Sequence, residues 1–436
     1  MLNLLLAILN FLVLLLGVYW SFRKKSFSFL FYLALTVIYG IPGLVDAIAY
    51  NSYRDYTQAF LFSIGFTLCV VIAHILSGRL LHNKMKFLNK FNNPDKPFLG
   101  TREATQISFA LLLAGTFFLF LDVYVGTGLL PYEVFAADWH VVGFSNRTFL
   151  HSIGVILFTV GSSAFIMAII FKRWVIVLLS FLICVYVTMG LGIRFFTAPM
   201  FAPVLLYYLA LGNVKPKKML AGLLIGVLFT FGVFMVQTMR WEKDRTINAL
   251  LDPLMYIKTY NRIVAMDSGE FSLRYVYYYL VNEIPETHEP GDGSTYLRLF
   301  LMPIPSSVIP DIKPTDFTQT MYDYFYDWDR GRGGTAHPLL FGDAWANFMW
   351  LGVFVGLFWG MLFGLLDRIL NGIQASIRYM FMAPITTFMF FLARGAVYSS
   401  VTFIYYGFIL ITMTLFAYYV FKRLFNKGLH SNFANR

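Results

Sequence analysis

The segment Met1–Trp20, MLNLLLAILNFLVLLLGVYW, carries no charged side chain. A run of about 20 apolar residues is the length at which an α-helix, rising about 1.5 Å per residue, crosses the hydrocarbon of a bilayer. No basic region precedes the run and no small-residue cleavage site follows it, so it reads as a retained first span and not as a secretory signal. A helix satisfies its own backbone hydrogen bonds, which lipid cannot do, so this reading decides the fold class of whatever repeats it.

Outward from Trp20 the pattern recurs. Apolar stretches predict further spans at Phe27–Tyr50, Gln58–Leu80, Ile107–Val125, Leu150–Phe171, Trp174–Ile193, Pro199–Leu211, Met219–Gln237, Trp345–Leu366, Tyr379–Gly395 and Val401–Phe421. Pro199–Leu211 is short and is expected to be tilted or half-embedded. Hydrophobic residues make up 58% of the chain and charged ones 13%, against about 25% charged in a soluble domain. That much apolar surface cannot be hidden inside a water-soluble globule. The 47 phenylalanines and 27 tyrosines suit helices that face lipid and anchor at its interfaces. The expectation is an all-α polytopic membrane protein of about eleven transmembrane helices. Residues 1–237 hold spans one to eight, residues 238–343 one large loop, and residues 344–436 spans nine to eleven with a tail.

Lys and Arg accumulate in cytoplasmic connections. Alternating sides along the spans gathers 20 of the 34 basic residues on one side, Arg23, Lys218 and Arg423 among them. Only Arg54, Arg147, Arg194 and Arg394 fall in the short segments of the other side. The expected orientation has the amino terminus outside, the carboxyl terminus inside and the large loop outside. The net charge of +11 follows from this rule and does not call for nucleic acid. Cys69 and Cys184, the only cysteines, lie inside apolar spans, so neither a disulfide framework nor a thiolate metal site is expected.

A connection as long as 238–343 without function is uncommon. Residues 246–283 have helical apolar spacing and are expected to include interfacial helices. Beyond them Pro285, Pro290, Pro303, Pro305, Pro310 and Pro314 predict irregular structure. The densest constellation is DRGRGGTAHPLLFGDAWANF, Asp329–Phe348, which holds Arg330, Arg332, His337 and Asp343. Guanidinium groups grip phosphate bidentately, and a His or carboxylate can accept a proton. The plainer reading is a charged loop at a helix start, with Asp343 capping Ala344–Leu366. Arg194 in GLGIRFFTAP and Arg394 sit near outer helix ends, where a long side chain snorkels at little cost. Asp46 and Asp122 are read as interface residues. Gly352, Gly356, Gly360 and Gly364 form a ridge for close helix contact. Asp327 and Asp329 match a two-carboxylate metal pattern but read more simply as a solvated face, so neither metal nor cofactor is expected. Tyr275, Tyr277, Tyr278 and Tyr279 suit either a sugar-stacking platform or an aromatic belt.

Two segments carry a family resemblance. Arg298–Pro314, RLFLMPIPSSVIPDIKP, is similar to the Pro-Lys-Pro-ended loop of the bacterial Wzy-type O-antigen or oligosaccharide repeat-unit polymerases. His337 followed by GDAWANFMWLGVFVGLFWG resembles that family's glycine-acid, Asn-Phe and glycine-rich helix entry, with Asp343 where the pattern has Glu. Arg194 follows Gly190 and Gly192 as a family arginine does, but bulky Phe195 and Phe196 come after it. Spans flanking one large outer loop agree with the family over nearly the whole chain.

The resemblance implies a glycosyltransferase of the GT-C class in a bacterial inner membrane, its active face periplasmic. A glycan on undecaprenyl diphosphate would pass to the non-reducing-end hydroxyl of another lipid-linked repeat unit. Partners would be the lipid-linked oligosaccharide donor and acceptor, membrane lipid and a chain-length regulator. Cations must meet the leaving diphosphate and a base the acceptor hydroxyl. His337 and Asp343 are expected in the acid–base role, and Arg194, Arg298, Arg332, Arg274 and Arg330 as diphosphate contacts. Two rivals are an O-antigen ligase using the same donor, and a lipid-oligosaccharide flippase or transporter. A transporter would bind near the bilayer midplane, whereas polar residues here collect in the loop.

Overall fold

The computed structural model describes residues 2–49, 56–80, 98–135, 137, 142, 148–212, 216–241, 248, 251–266, 269–304, 308–315, 318, 320–321 and 337–433. Among them the regular elements are all helical. Ten helical segments are long and apolar enough to cross a membrane, and the protein is a multi-pass helical membrane protein. The first eight are α1 (Leu2–Lys24), α2 (Phe29–Ala49), α3 (Thr57–Leu80), α4 (Thr101–Thr127), α5 (Phe149–Ile170), α6 (Trp174–Leu191), α7 (Arg194–Leu211) and α8 (Pro216–Trp241). The long connection contributes α9 (Pro253–Ala265), α10 (Leu273–Glu283) and α11 (Ser294–Phe300). Then come α12 (Leu339–Phe348), α13 (Val355–Gly372), α14 (Ala375–Met380), α15 (Met382–Ala393) and α16 (Val397–Phe433).

The last two of the ten segments are Leu339–Gly372 and Val397–Leu424, so ten of the eleven expected spans have a counterpart. The ninth, expected at Trp345–Leu366, lies within Leu339–Gly372 but carries a break at Met349 with φ +50. The chain turns so sharply there that a Cβ on Gly352 would lie 2.3 Å from the carbonyl oxygen of Ala344. Helix α12 is therefore a separate element, and Asp343 sits within it instead of capping the helix that follows. The tenth span, Tyr379–Gly395, is α14 and α15; α15 has 12 residues, about 18 Å of rise against some 30 Å of hydrocarbon. It is buried on nearly every side, which explains an apolar sequence without lipid contact.

The glycine ridge packs as expected. Cβ atoms on Gly356 and Gly360 would lie 2.6 Å from the Phe66 carbonyl and 2.2 Å from the Val70 carbonyl of α3, so α13 and α3 meet backbone to backbone. Helix α10 leaves the surface and enters the bundle. The Tyr277 hydroxyl donates to the Ala59 carbonyl at 2.6 Å, and Tyr277 and Tyr278 pack on Tyr39 of α2. Both are buried, so neither is a sugar platform. Arg274 of α10 donates from Nε and Nη2 to Asp46 of α2 at 2.5 and 2.9 Å. Asp122 accepts from the Thr148 amide at 2.9 Å and faces His151 at 3.4 Å. Asp46 and Asp122 are thus buried and paired, not interfacial, because distant segments fold back to partner them. At the opposite end of the bundle, Asp367 of α13 accepts from Ser26 at 2.5 Å and from the Phe27 amide at 2.8 Å, and pairs with His74 at 2.9 Å. This polar lock between α1, α2, α3 and α13 was not foreseen.

Candidate functional site

At the end of the bundle that carries α9–α12, five residues distant in sequence converge. Helix α6 ends at Gly192, whose φ of +62 turns the chain, and Arg194 opens α7 two residues beyond the cap in a tight helical turn. Arg194 Nη1 donates to Gln237 Oε1 of α8 at 2.5 Å, and its Nη2 lies 3.2 Å from Glu270 Oε1. The other carboxylate oxygen of Glu270 is 2.7 Å from Nε of Arg394, which caps α15. The Arg394 guanidinium stands 5.0 Å over the Phe391 ring. One buried carboxylate thus holds two arginines, and the set keeps one surplus positive charge.

Two glycines permit this approach. Gly269 has φ +64, and a Cβ there would sit 2.7 Å from Gln237 Oε1, so only glycine lets Glu270 come in beside α8. Gly395 has φ +86, and a Cβ there would lie 2.4 Å from the Leu339 carbonyl. The Leu339 amide donates to the Arg394 carbonyl at 2.9 Å. The His337–Leu339 strand of backbone is thereby pinned to Arg394–Gly395, which carries His337 to the arginines. Burial, and then the charges of Arg394 and Arg194, hold the His337 imidazole well below its ordinary range. It is neutral at pH 7 and can accept a proton.

Of the residues expected from sequence, Arg194 and His337 belong to this cluster. Arg274 does not: besides Asp46, its fork reaches the carbonyls of Met266 and Phe271 and the Tyr275 hydroxyl, so it anchors α10. Arg298 donates to the Pro314 carbonyl and stacks 4.3 Å over Tyr398, while Lys313 donates to the Ile304 carbonyl at 2.8 Å. These two basic residues tie α11 and Ile304 to the Lys313–Pro314 end of the segment. Asp343 is fully buried and accepts from Thr295 at 3.3 Å, and Asn347 donates to the Asp343 carbonyl and to Thr295, so Asp343 ties α12 to α11. Arg330, Arg332, Asp327 and Asp329 lie outside the described residues. Glu270 and Gln237 went unnoticed in the sequence. The one available signal is an acid directly after a glycine, Gly269-Glu270 in MDSGEFSL.

Beneath the cluster an apolar groove of about 540 Å³ opens between α6, α7 and α8, lined by Phe181, Cys184, Thr188, Phe229, Thr197 and Met239 among others. From Ile225 to Met239 it follows α8 for about 20 Å. Its upper residues, Thr197 and Met239, flank Arg194 and Gln237; the Thr197 hydroxyl donates to the Arg194 carbonyl at 2.6 Å.

No family model matches the chain, and no curated protein or solved structure does either. The site has to be read from its own chemistry. Within it, a carboxylate is the internal occupant of an arginine pair, and an exogenous anion with two charges is the natural competitor for that place.

Proposed function

We propose that the protein is a lipid-linked oligosaccharide polymerase that transfers a glycan from undecaprenyl diphosphate to the non-reducing-end hydroxyl of another lipid-linked repeat unit. The observation that carries this reading is an apolar groove whose rim residue Thr197 bonds to Arg194, one of two arginines that share Glu270. An isoprenoid tail fits the groove and its diphosphate the arginines, so one amphipathic ligand accounts for both features. The resemblance of Arg298–Pro314 and of the His337 segment to repeat-unit polymerases supplies the reaction.

Arg194 and Arg394 release Glu270 and take the diphosphate, offsetting charge on the leaving group as the anomeric carbon–oxygen bond breaks. The acceptor hydroxyl oxygen forms the new bond at that carbon, and its proton passes to His337. The bound diphosphate cancels the arginine charges that depress His337, so the imidazole becomes a better base once the donor is present.

The test is long-chain glycan production in cells lacking the native gene, complemented with each variant at matched protein level. Arg194→Ala, Arg394→Ala and His337→Ala are expected to lose the polymer, by about 10²–10⁴-fold for the base. Normal polymer from all three would sink the reading. Direct binding of undecaprenyl diphosphate to the purified protein, weakened in both arginine variants, checks the site without turnover.

A further inference from the structure

We propose that a second pocket, at the same end of the bundle, is a saccharide-binding site that holds a sugar ring of the substrate glycan away from its diphosphate. The pocket has about 260 Å³ and lies where α3 begins, α10 ends and α12 turns into α13. Gln58, Asn282 and Glu286 line it together with Trp345 and Trp350, whose rings meet edge to face at 5.3 Å.

A sugar ring offers hydroxyls around its rim and C–H groups on its faces, and this lining answers both. Two amides and a carboxylate can donate to and accept from hydroxyls, and indole rings pack on C–H faces. No cation lines the pocket, which argues against phosphate, and its polar side chains argue against a lipid tail. Trp345 is 2% exposed, and its indole N–H has no acceptor among the described residues. A buried donor in that state is costly, and a ligand hydroxyl removes the cost.

The placement sets what can reach the pocket. Helices α10 and α12 run side by side in the same sense, with Tyr277 and Phe341 in contact at 5.8 Å midway. Glu270 precedes α10 and His337 precedes α12, whereas Asn282 and Trp345 lie near their far ends. Eight to twelve residues at about 1.5 Å each put the pocket some 12–18 Å from the arginine cluster. That is the reach of a short oligosaccharide rather than of one sugar. A glycan whose diphosphate lies between the arginines would present a distal ring here, and the pocket would select by sugar identity. Which glycan arrives rests on the polymerase reading; sugar binding by the pocket does not.

The experiment titrates intact detergent-purified protein with glucose, galactose, mannose, rhamnose, N-acetylglucosamine and N-acetylgalactosamine, reading tryptophan fluorescence. At least one sugar is expected to give a saturable change, because Trp345 and Trp350 report from the pocket. Glu286→Gln and Asn282→Ala keep both reporters, and both replaced side chains are exposed, so folding is not at stake. Each should weaken binding about tenfold, Asn282→Ala by losing an amide hydrogen bond and Glu286→Gln by making a charged acceptor neutral, while Arg194→Ala leaves it unchanged. No response to any sugar, or unaltered affinity in both pocket variants, overturns the proposal. Sugar binding without undecaprenyl diphosphate binding would uphold the pocket and overturn the polymerase reading. The reverse result would overturn the pocket alone.

Discussion

Glu270 is the residue on which the site turns, because a single carboxylate neutralises Arg194 and Arg394 and is itself buried. Glu270→Gln keeps the shape and removes the charge. The ligand-free protein should then melt at a lower temperature, because two arginines face one another uncompensated. Inorganic pyrophosphate should bind about tenfold more tightly, having no carboxylate to displace. A thermal-shift titration with pyrophosphate reads both, and equal affinity in the two proteins would show that Glu270 does not compete for the arginines. His337 yields a pH prediction. Its pKa in the folded protein lies below the unfolded value of about 6.5, so the unfolded chain binds more protons just below that pH. The stability it contributes is complete above pH 6.5 and lost as pH falls toward the folded pKa. Thermal midpoints between pH 7.5 and 5 should therefore fall less steeply in His337→Gln than in the parent; parallel curves would contradict this.

Helix α10 shows how an element in a polar connection becomes part of the membrane bundle. Its apolar face alone would suit an interfacial helix, but Arg274 draws it inward to Asp46, and Tyr277 and Tyr278 fill the space against α2 and α3. Breaking the pair from one side leaves a buried charge, so Asp46→Leu should destabilise the protein by about 3–5 kcal/mol, and Arg274→Met by a similar amount. The double variant removes both charges and should recover most of that loss. Unfolding midpoints of the three variants in detergent decide it: additive losses would mean that the pair is not coupled. Because α10 also runs from the arginine cluster to the saccharide pocket, the single variants should impair polymer production through position, without touching substrate.

At the scale of the whole molecule, the 20-to-4 division of basic residues predicts that Ser294 faces the outer compartment and Arg423 the cytoplasm. Single cysteines at those positions, probed in intact cells with an impermeant thiol reagent, should label at 294 alone; labelling at 423 alone would invert the topology. The class of fold was legible in sequence because membrane insertion is a local property: about 20 consecutive apolar residues decide it without reference to any other segment. Ten of the eleven expected spans coincide with membrane-length helical segments for that reason. The exceptions, the break at Met349 and the short buried α15, depend on what surrounds them, since lipid and protein interior favour the same apolar side chains. The glycine ridge was legible as well, because its period already describes one helix face. The arginine cluster was only partly so. His337 and Arg194 stand out as chemistry-bearing residues at helix ends, but Arg394 reads there only as a snorkelling side chain and nothing in the sequence but the glycine before it singles out Glu270. Their meeting depends on contacts between residues 194, 237, 270, 337 and 394, and on glycines at 269 and 395 that let backbones touch. The sequence by itself determined that the chain crosses a membrane many times and which segments do so. Only the tertiary structure decided which charges are spent on one another, as Arg274 is on Asp46, and which stand together at the mouth of an apolar groove. Pairing of charges is a property of three-dimensional proximity, and sequence order does not encode it.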